Sequence, residues 1–324
     1  MSNKVLKPKK ASLYQFTQKY SNNIDNCIEF FKSMKWPEGF SCDRCGCHKY
    51  YLVKRVGKTK TSYVLECSSC HKQHSLLSGT IFQSCKLDLY KLLLGIFLFF
   101  NKNKGISAVD LCSILDVNYK TALLLENKCR ILMSLSNSDK LLNSPFYEAD
   151  VFNIGAKSKN KAGRASEQQP ILGILSTDKE NNYPRFIKLR VITDYTGLSL
   201  KKNIEKCCVL SHDALLNTDG EKGFNTLNEE IQVKNEKISY EEKDHRLLWL
   251  NIIIGNIKNN ITGIYHGITK REMPLFLNEQ EYRFNHRKMG KTIMDKIKKY
   301  LQRSFPISHR QIVYILNISA PHFS

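Results

Sequence analysis

The sequence predicts a multidomain α+β protein: a cysteine-rich N-terminal module, a helical middle region, and a larger domain mixing strands with helices. Three observations support this. Two Cys-x-x-Cys pairs, Cys42 with Cys45 and Cys67 with Cys70, bracket β-leaning runs. Apolar residues recur at helical spacing through residues 86–140. From Phe146 onward short apolar runs are separated by polar turns, before helical periodicity returns near Leu247. At 324 residues the chain has room for two or three cores.

Residues 1–40 read as a helical segment. Its apolar stripe, Ile24, Cys27, Ile28, Phe30 and Phe31, stops at Trp36-Pro37-Glu38-Gly39. In residues 41–80 the two Cys-x-x-Cys pairs are separated by 21 residues that hold two strand-like segments, at Tyr50 to Val53 and Tyr63 to Leu65. This is the arrangement of a zinc ribbon: each turn offers two thiolates, and two turns complete a tetrahedral S₄ site. Gly46 suits the tight turn beyond Cys45. So short a module buries little core, so zinc ligation by Cys42, Cys45, Cys67 and Cys70 supplies folding energy that packing cannot. Cys47, His48, His71 and His74 are spare ligands nearby. With four thiolates the zinc is structural and leaves no open position for catalysis.

The 11 cysteines are an odd number, and Met1 is followed by Lys4, Lys7, Lys9 and Lys10 rather than an apolar leader. Reduced thiols and a cytoplasmic location are therefore expected. The run Leu87 to Phe100 is 14 residues long and carries Asp88 and Lys91, so it reads as a buried helix and no membrane span is expected. Within residues 86–140 a helix-turn-helix is expected. Ser107 caps its first helix, Asp116-Val117-Asn118 turns the corner, and Tyr119-Lys120-Thr121 opens the second. Tyr119 and Lys120 then stand where a recognition helix meets DNA. Lys plus Arg total 50 against 30 acidic residues, a formal charge of +20, which favours a polyanion partner through counterion release.

Residues 145–290 hold strand-like runs at Phe146 to Phe152, Ile171 to Leu175 and Phe186 to Ile192, then a helical Leu198 to Cys207. Ala214 to Asn217 leads into Thr218-Asp219-Gly220, and Leu247 to Ile261 reads as a helix. Asp150 ends the first apolar run and Asp219 ends the last. Carboxylates at the ends of neighbouring strands are how an RNase H-like, retroviral integrase-type α/β core holds two Mg²⁺ or Mn²⁺ ions for phosphoryl transfer. Asp194 and Asp213 also lie near strand-like runs, and Glu241, Glu242 and Asp244 precede the last helix. Lys157, Lys159, Lys161 and Arg164 follow Asp150 closely enough to track DNA beside the metals. Residues 291–324, with Lys291, Lys296, Lys298, Lys299 and Arg303, read as a basic C-terminal tail.

Several motifs occur together and in order. They are Cys70 to Ser75 with Ser78-Gly79-Thr80-Ile81-Phe82; Glu148-Ala149-Asp150 with Ile154-Gly155; Gly163-Arg164-Ala165; and Thr218-Asp219-Gly220. Trp249 to Lys258, Gly263 to Gly267 and Tyr282 to Arg287 follow. Across roughly residues 20–290 this set resembles a family of bacterial DDE-type insertion-sequence transposases with an N-terminal zinc ribbon, related to the Merlin group of DNA transposons. The resemblance implies that Asp150 and Asp219 are the first two catalytic acids. It puts the family's third acidic position on Asn251 and its basic residue on Lys258. Asn251 can ligate Mg²⁺ through its carbonyl oxygen but brings no charge; Asp244 is the alternative third ligand. Tyr265, His266, Arg283, Asn285 and Arg287 match family positions whose chemistry the sequence does not reveal.

The resulting expectation is a DNA transposase that binds terminal inverted repeats, cleaves the ends, and transfers the 3′-hydroxyl to target DNA, working as a homodimer or higher assembly at the bacterial nucleoid. Of two rivals, the first is the alternative reading, and the second is disfavoured because the ribbon and helix-turn-helix suggest recognition of a particular duplex. A catalytically inactive, transposase-derived DNA-binding protein would bind the repeats without nicking them. A junction resolvase would cut branched substrates without strand transfer.

Overall fold

Side-chain caps open the first two helices, α1 (Leu13–Tyr20) and α2 (Ile24–Lys35): Ser12 accepts from the N–H of Gln15, and Asn23 from that of Asn26. The computed structural model describes residues 11–57, 61–137, 141–155, 168–178, 183–236, 247–265, 268–288 and 292–319. They fall into two units, residues 1–135 with 288–312, and residues 136–287 with 313–324.

In the first unit α2 buries Cys27, Ile28, Phe30, Phe31 and Met34 and ends at Trp36, just ahead of Pro37. Strands β1 (Tyr50–Val56), β2 (Thr61–Cys67) and β3 (Gln73–Ser75) form an antiparallel sheet in that order. Its register sets Tyr50 opposite Cys67 and Leu65 opposite His74. Helix α3 (Leu89–Asn101) is capped by Asp88 and buried on nearly every side. It is the apolar run expected as a buried helix, and no helix among the described residues is long and apolar enough to cross a membrane. Ser107 caps α4 (Ala108–Leu115) as expected. Asp116 turns the chain in the left-handed region at φ 48°, and α5 (Tyr119–Asn137) starts where the Asn118 carboxamide accepts the Thr121 N–H at 2.8 Å.

The second unit is built on a five-stranded mixed sheet. Strands β4 (Phe146–Ile154), β5 (Gln169–Thr177) and β6 (Pro184–Val191) run antiparallel. Helix α6 (Gly197–Glu205) crosses over to β7 (Leu215–Asp219), and a 3₁₀ turn leads to β8 (Gln232–Glu236). The sheet order is β6-β5-β4-β7-β8, with β7 parallel to β4 and β8 parallel to β7. Period-two alternation divides β4 between two cores. Tyr147 and Ala149 pack with Leu172, Ile174, Leu216, Phe224 and the α6 residues Leu200 and Ile204. Phe152 and Ile154 face the opposite way, onto α7 (Leu248–Gly263) through Leu250, Ile253, Ile254, Ile257 and Ile261. Asp150 therefore lies inside β4 rather than at its end, because alternation and pairing with β5 continue through Ile154.

Helix α8 (Met273–Asn285) closes the outer edge of β6. The Asn285 carboxamide imitates a neighbouring strand: its oxygen accepts from Ile187 N–H at 2.8 Å and its nitrogen donates to Ile187 C=O at 3.0 Å. The Leu189 N–H donates to Glu281, and Arg287 donates to the carbonyls of Pro184 and Arg185. Glu281, fully buried, also pairs with Lys188 at 3.1 Å and Arg190 at 3.2 Å. An edge whose backbone groups are occupied offers no template for another chain. This accounts for Asn285 and Arg287. Arg283 and Tyr265 share Glu279 in a second buried network, and His266 lies outside the described residues.

The segment read as a basic tail forms helices, and the first of them packs into a core. Helix α9 (Ile293–Arg303) buries Ile293, Ile297 and Leu301 in the first unit, against α2 and α3. Lys298 donates to the Ser33 hydroxyl and Gln302 to the Met34 carbonyl, both at 2.9 Å. The four-residue apolar repeat, not the lysine content, decides its placement. The chain continues into α10 (His309–Ser319).

Asn285→Ala leaves two Ile187 backbone groups unpaired at the sheet edge. It should cost roughly 2 kcal/mol in chemical denaturation and increase light scattering on mild heating. Asn259→Ala on the exposed side of α7 should change stability by less than about 0.5 kcal/mol; equal costs would contradict the edge-closing role.

Candidate metal site and catalytic centre

The two cysteine turns of the first unit are built alike. Gly46 N–H donates to Cys42 C=O at 2.9 Å, and His71 N–H to Cys67 C=O at 3.0 Å. Cys42 N–H reaches Cys47 C=O, and Cys67 N–H reaches Lys72 C=O, both at 3.0 Å. Gly46 and His71 occupy the same left-handed position, at φ 70° and 57°, so the second turn holds a conformation that the first assigns to glycine. The four Sγ atoms of Cys42, Cys45, Cys67 and Cys70 lie within 4.8 Å of one another, with Cys42–Cys70 at 3.6 Å and Cys45–Cys67 at 3.5 Å. A Zn–S bond of about 2.3 Å implies a tetrahedral edge of about 3.8 Å, and a disulfide about 2.05 Å. The cluster thus fits a structural zinc.

Of the spare ligands, His74 is the one aimed at the cluster. Its Nε2 stands 3.4 Å from Cys42 Sγ, and its Nδ1 lies 3.8 Å from Asp43 Oδ1. Burial pushes the Cys42 thiol up, but N–H groups of Arg44 and Cys45 and the His74 ring outweigh it and bring the thiol down to about 6. A carboxylate–imidazole–thiolate chain of this kind orients a ligand from outside the coordination sphere.

In the second unit, β4 and β7 pair in parallel from Phe146 with Leu215 to Ala149 with Thr218. Asp150 and Asp219 each follow the last pair, so they stand side by side on one sheet face. That face is the one α7 covers, since Phe152 and Ile154 share the parity of Asp150. Both aspartates are half-buried. The Asp150 carboxylate accepts from Val151 N–H at 2.7 Å. Asn251 and Lys258 are both exposed on α7, seven residues apart and beside its buried stripe. Lys258 Nζ lies 5.6 Å from the centre of the Phe152 ring. Asp150 and Lys258 line one open cleft of about 1120 Å³ together with Asn153, Thr262 and Thr269.

The competing acids separate on geometry. Asp194 accepts from the Thr196 hydroxyl and N–H, bonds that hold it below the usual carboxylate range while it shapes the turn into α6. Asp213 is exposed and precedes β7, at the opposite end from Asp219. Glu241, Glu242 and Asp244 lie outside the described residues, as do Lys157, Lys159, Lys161 and Arg164. Tyr119 and Lys120 are exposed at the start of α5.

One residue near these aspartates was part of a quoted motif but was given no role of its own. Glu148 shares the Asp150 face, is 3 % exposed, and accepts the N–H of Leu250 at 2.9 Å. Burial pushes its carboxyl up to about 7, against the pull of that N–H. The signal was present in the alternation, which sets 148, 150 and 152 on one face; a carboxylate in an inward position is rare unless something holds it.

Comparison with known families gives two matches. Residues 144–285 match an ISXO2-like transposase domain, and residues 23–73 match a transposase zinc-ribbon domain. The first spans β4 to α8 with Asp150, Asp219, Asn251, Lys258 and Asn285, and the second spans α2 and the cysteine turns. No curated protein matches the chain.

The purified protein should contain about one zinc per chain, measured by elemental analysis. Cys67→Ser should lose that zinc and the ribbon fold with it, and His74→Ala should keep it with roughly tenfold weaker affinity. Unchanged zinc binding by Cys67→Ser would contradict an S₄ site.

Proposed function

The chain belongs to the IS1595-type insertion-sequence transposases, and we propose that it cleaves and rejoins DNA at the ends of its element with Asp150, Asp219 and Asn251 as metal ligands. The observation that carries this reading is the parallel register of β4 and β7, which sets Asp150 beside Asp219 under the helix bearing Asn251 and Lys258. The strand order, three antiparallel strands followed by two parallel to the first, supports an RNase H-like core.

Two carboxylates and a carboxamide oxygen are the hard donors that Mg²⁺ and Mn²⁺ take. Asp150, Asp219 and Asn251 would hold such ions, which when bound would supply Lewis-acid activation of the attacking oxygen and charge stabilisation of the leaving one. Asp150 and Asp219 supply all the negative charge of the ligand set, because Asn251 supplies an oxygen without charge. Lys258 meets a phosphate flanking the scissile bond. Water attacks first and leaves a 3′-hydroxyl; that hydroxyl then attacks target DNA, with no covalent enzyme intermediate.

The basic chain, at +20, holds the duplex. The zinc ribbon together with α4 and α5, acting as a helix-turn-helix through Tyr119 and Lys120, reads the terminal inverted repeats. Lys157, Lys159, Lys161 and Arg164, which lie outside the described residues, are assigned on charge alone to contacts with the DNA backbone. Two ends cut in concert require at least a homodimer on DNA, acting in the cytoplasm at the nucleoid.

On a duplex carrying the element's terminal repeat, the wild-type protein should cleave in Mg²⁺. Asp150→Ala and Asp219→Ala should lose roughly 10³-fold or more with binding retained. Asn251→Ala should be impaired, and Asn251→Asp should need less Mg²⁺. Repeat binding without cleavage by the wild type would favour the inactive DNA-binding reading. Cleavage by Asp150→Ala would reject the proposed centre.

A further inference from the structure

Helix α7 begins without a cap of its own. Leu247, at the cap position, makes no side-chain hydrogen bond to the first turn. The first N–H groups of a helix have no partner inside it and must find one elsewhere or face water. Here the acceptor comes from 102 residues upstream, where Glu148 on β4 takes the Leu250 N–H at 2.9 Å. A carboxylate at this end of a helix is also favoured by the helix dipole. Leu250 is held a second time, through its side chain. A Cβ on Gly173 would stand 3.4 Å from Leu250 Cδ1 and 3.2 Å from Phe152, and Gly173 is the β5 partner of Asp150. The bare backbone opposite Asp150 is therefore the surface on which Leu250 rests.

Asn251 is the next residue. We propose that Glu148 is a positioning residue for the catalytic centre: by capping α7 from β4 it fixes Asn251 against the strand that carries Asp150. The proposal rests on the reading of Asn251 as third ligand. Glu148 acts through reach and acceptor geometry, with its bonded oxygen turned to the α7 backbone. One strand thus carries both the first metal ligand and, two residues earlier, the anchor of the third. A shift of α7 along the sheet is opposed at the point where it would move Asn251 most directly.

The test uses the full chain with Glu148→Gln, Glu148→Asp and Asn251→Ala, alone and combined. Glutamine keeps the acceptor and removes the charge; aspartate keeps the charge but is one methylene short. Hydrogen exchange over residues 248–254, affinity for terminal-repeat duplex, and single-turnover cleavage in Mg²⁺ are read together. Glu148→Gln should keep α7 protected and cleave within about threefold of wild type, whereas Glu148→Asp should speed exchange in that turn and slow cleavage roughly tenfold, with DNA affinity unchanged. On the Asn251→Ala background, Glu148→Asp should add less than about a twofold loss, because both act through one group. The proposal is overturned if Glu148→Gln is as inactive as Glu148→Asp with α7 still protected, since the charge itself would then be at work. Unchanged exchange in Glu148→Asp, or losses that multiply with Asn251→Ala, would overturn it as well. If Asn251→Ala alone cleaves like wild type, the third-ligand reading fails, and the exchange data still decide whether Glu148 holds the helix.

Discussion

The parallel register between β4 and β7 is the constraint on which the second unit depends. A strand has a side-chain period of two, so a slip of one residue would send Asp150 to the α6 face and Tyr147 to the α7 face. The register is held because both faces of β4 are committed. Tyr147 and Ala149 complete one core, and Phe152 and Ile154 complete the other. A polar residue between them is tolerated where β7 stops, at Asp219, and where the β5 partner is Gly173. Two acids beside each other are thus a consequence of apolar packing above and below them, and the proposed metal centre would rest on that frame.

The first unit solves a different problem. Its three-stranded ribbon is too small to bury a core of its own, so four thiolates, with His74 and Asp43 behind Cys42, offer a metal-centred alternative. The rest of the unit relies on α3, buried on nearly all sides between α2, α4 and α9. That α9 comes from the far end of the chain means that residues 288–312 complete a core begun by the first hundred residues.

Much of this was legible in the sequence because it is local. The cysteine spacing, the cap at Ser107, the corner at Asp116-Val117-Asn118, the buried run that became α3, and the strands at 146, 171 and 186 all rest on residues close in the chain. The position of Asp150 within β4 was less legible, since where a strand ends depends on how far its partner continues. Glu148 was visible within the Glu148-Ala149-Asp150 motif but had no role, because its partner lies 102 residues away. Asn285 and Arg287 were visible as a pattern but not as chemistry, for the same reason: their partners are backbone atoms of β6. The basic segment after residue 290 was legible as helical, but the packing of Ile293, Ile297 and Leu301 was not, because their partners α2 and α3 lie more than 190 residues upstream.

The central claim is that β4, β7 and α7 build one metal centre from Asp150, Asp219 and Asn251. Replacing Mg²⁺ with Fe²⁺ and generating hydroxyl radicals at the bound ion, with ascorbate and peroxide, tests it most directly. The account predicts backbone scission confined to three places, around residues 150, 219 and 251, suppressed by excess Mg²⁺ and absent in Asp150→Ala. Scission around residues 241–244 in place of 251 would give the third position to another residue. Scission near neither 150 nor 219 would contradict the centre altogether.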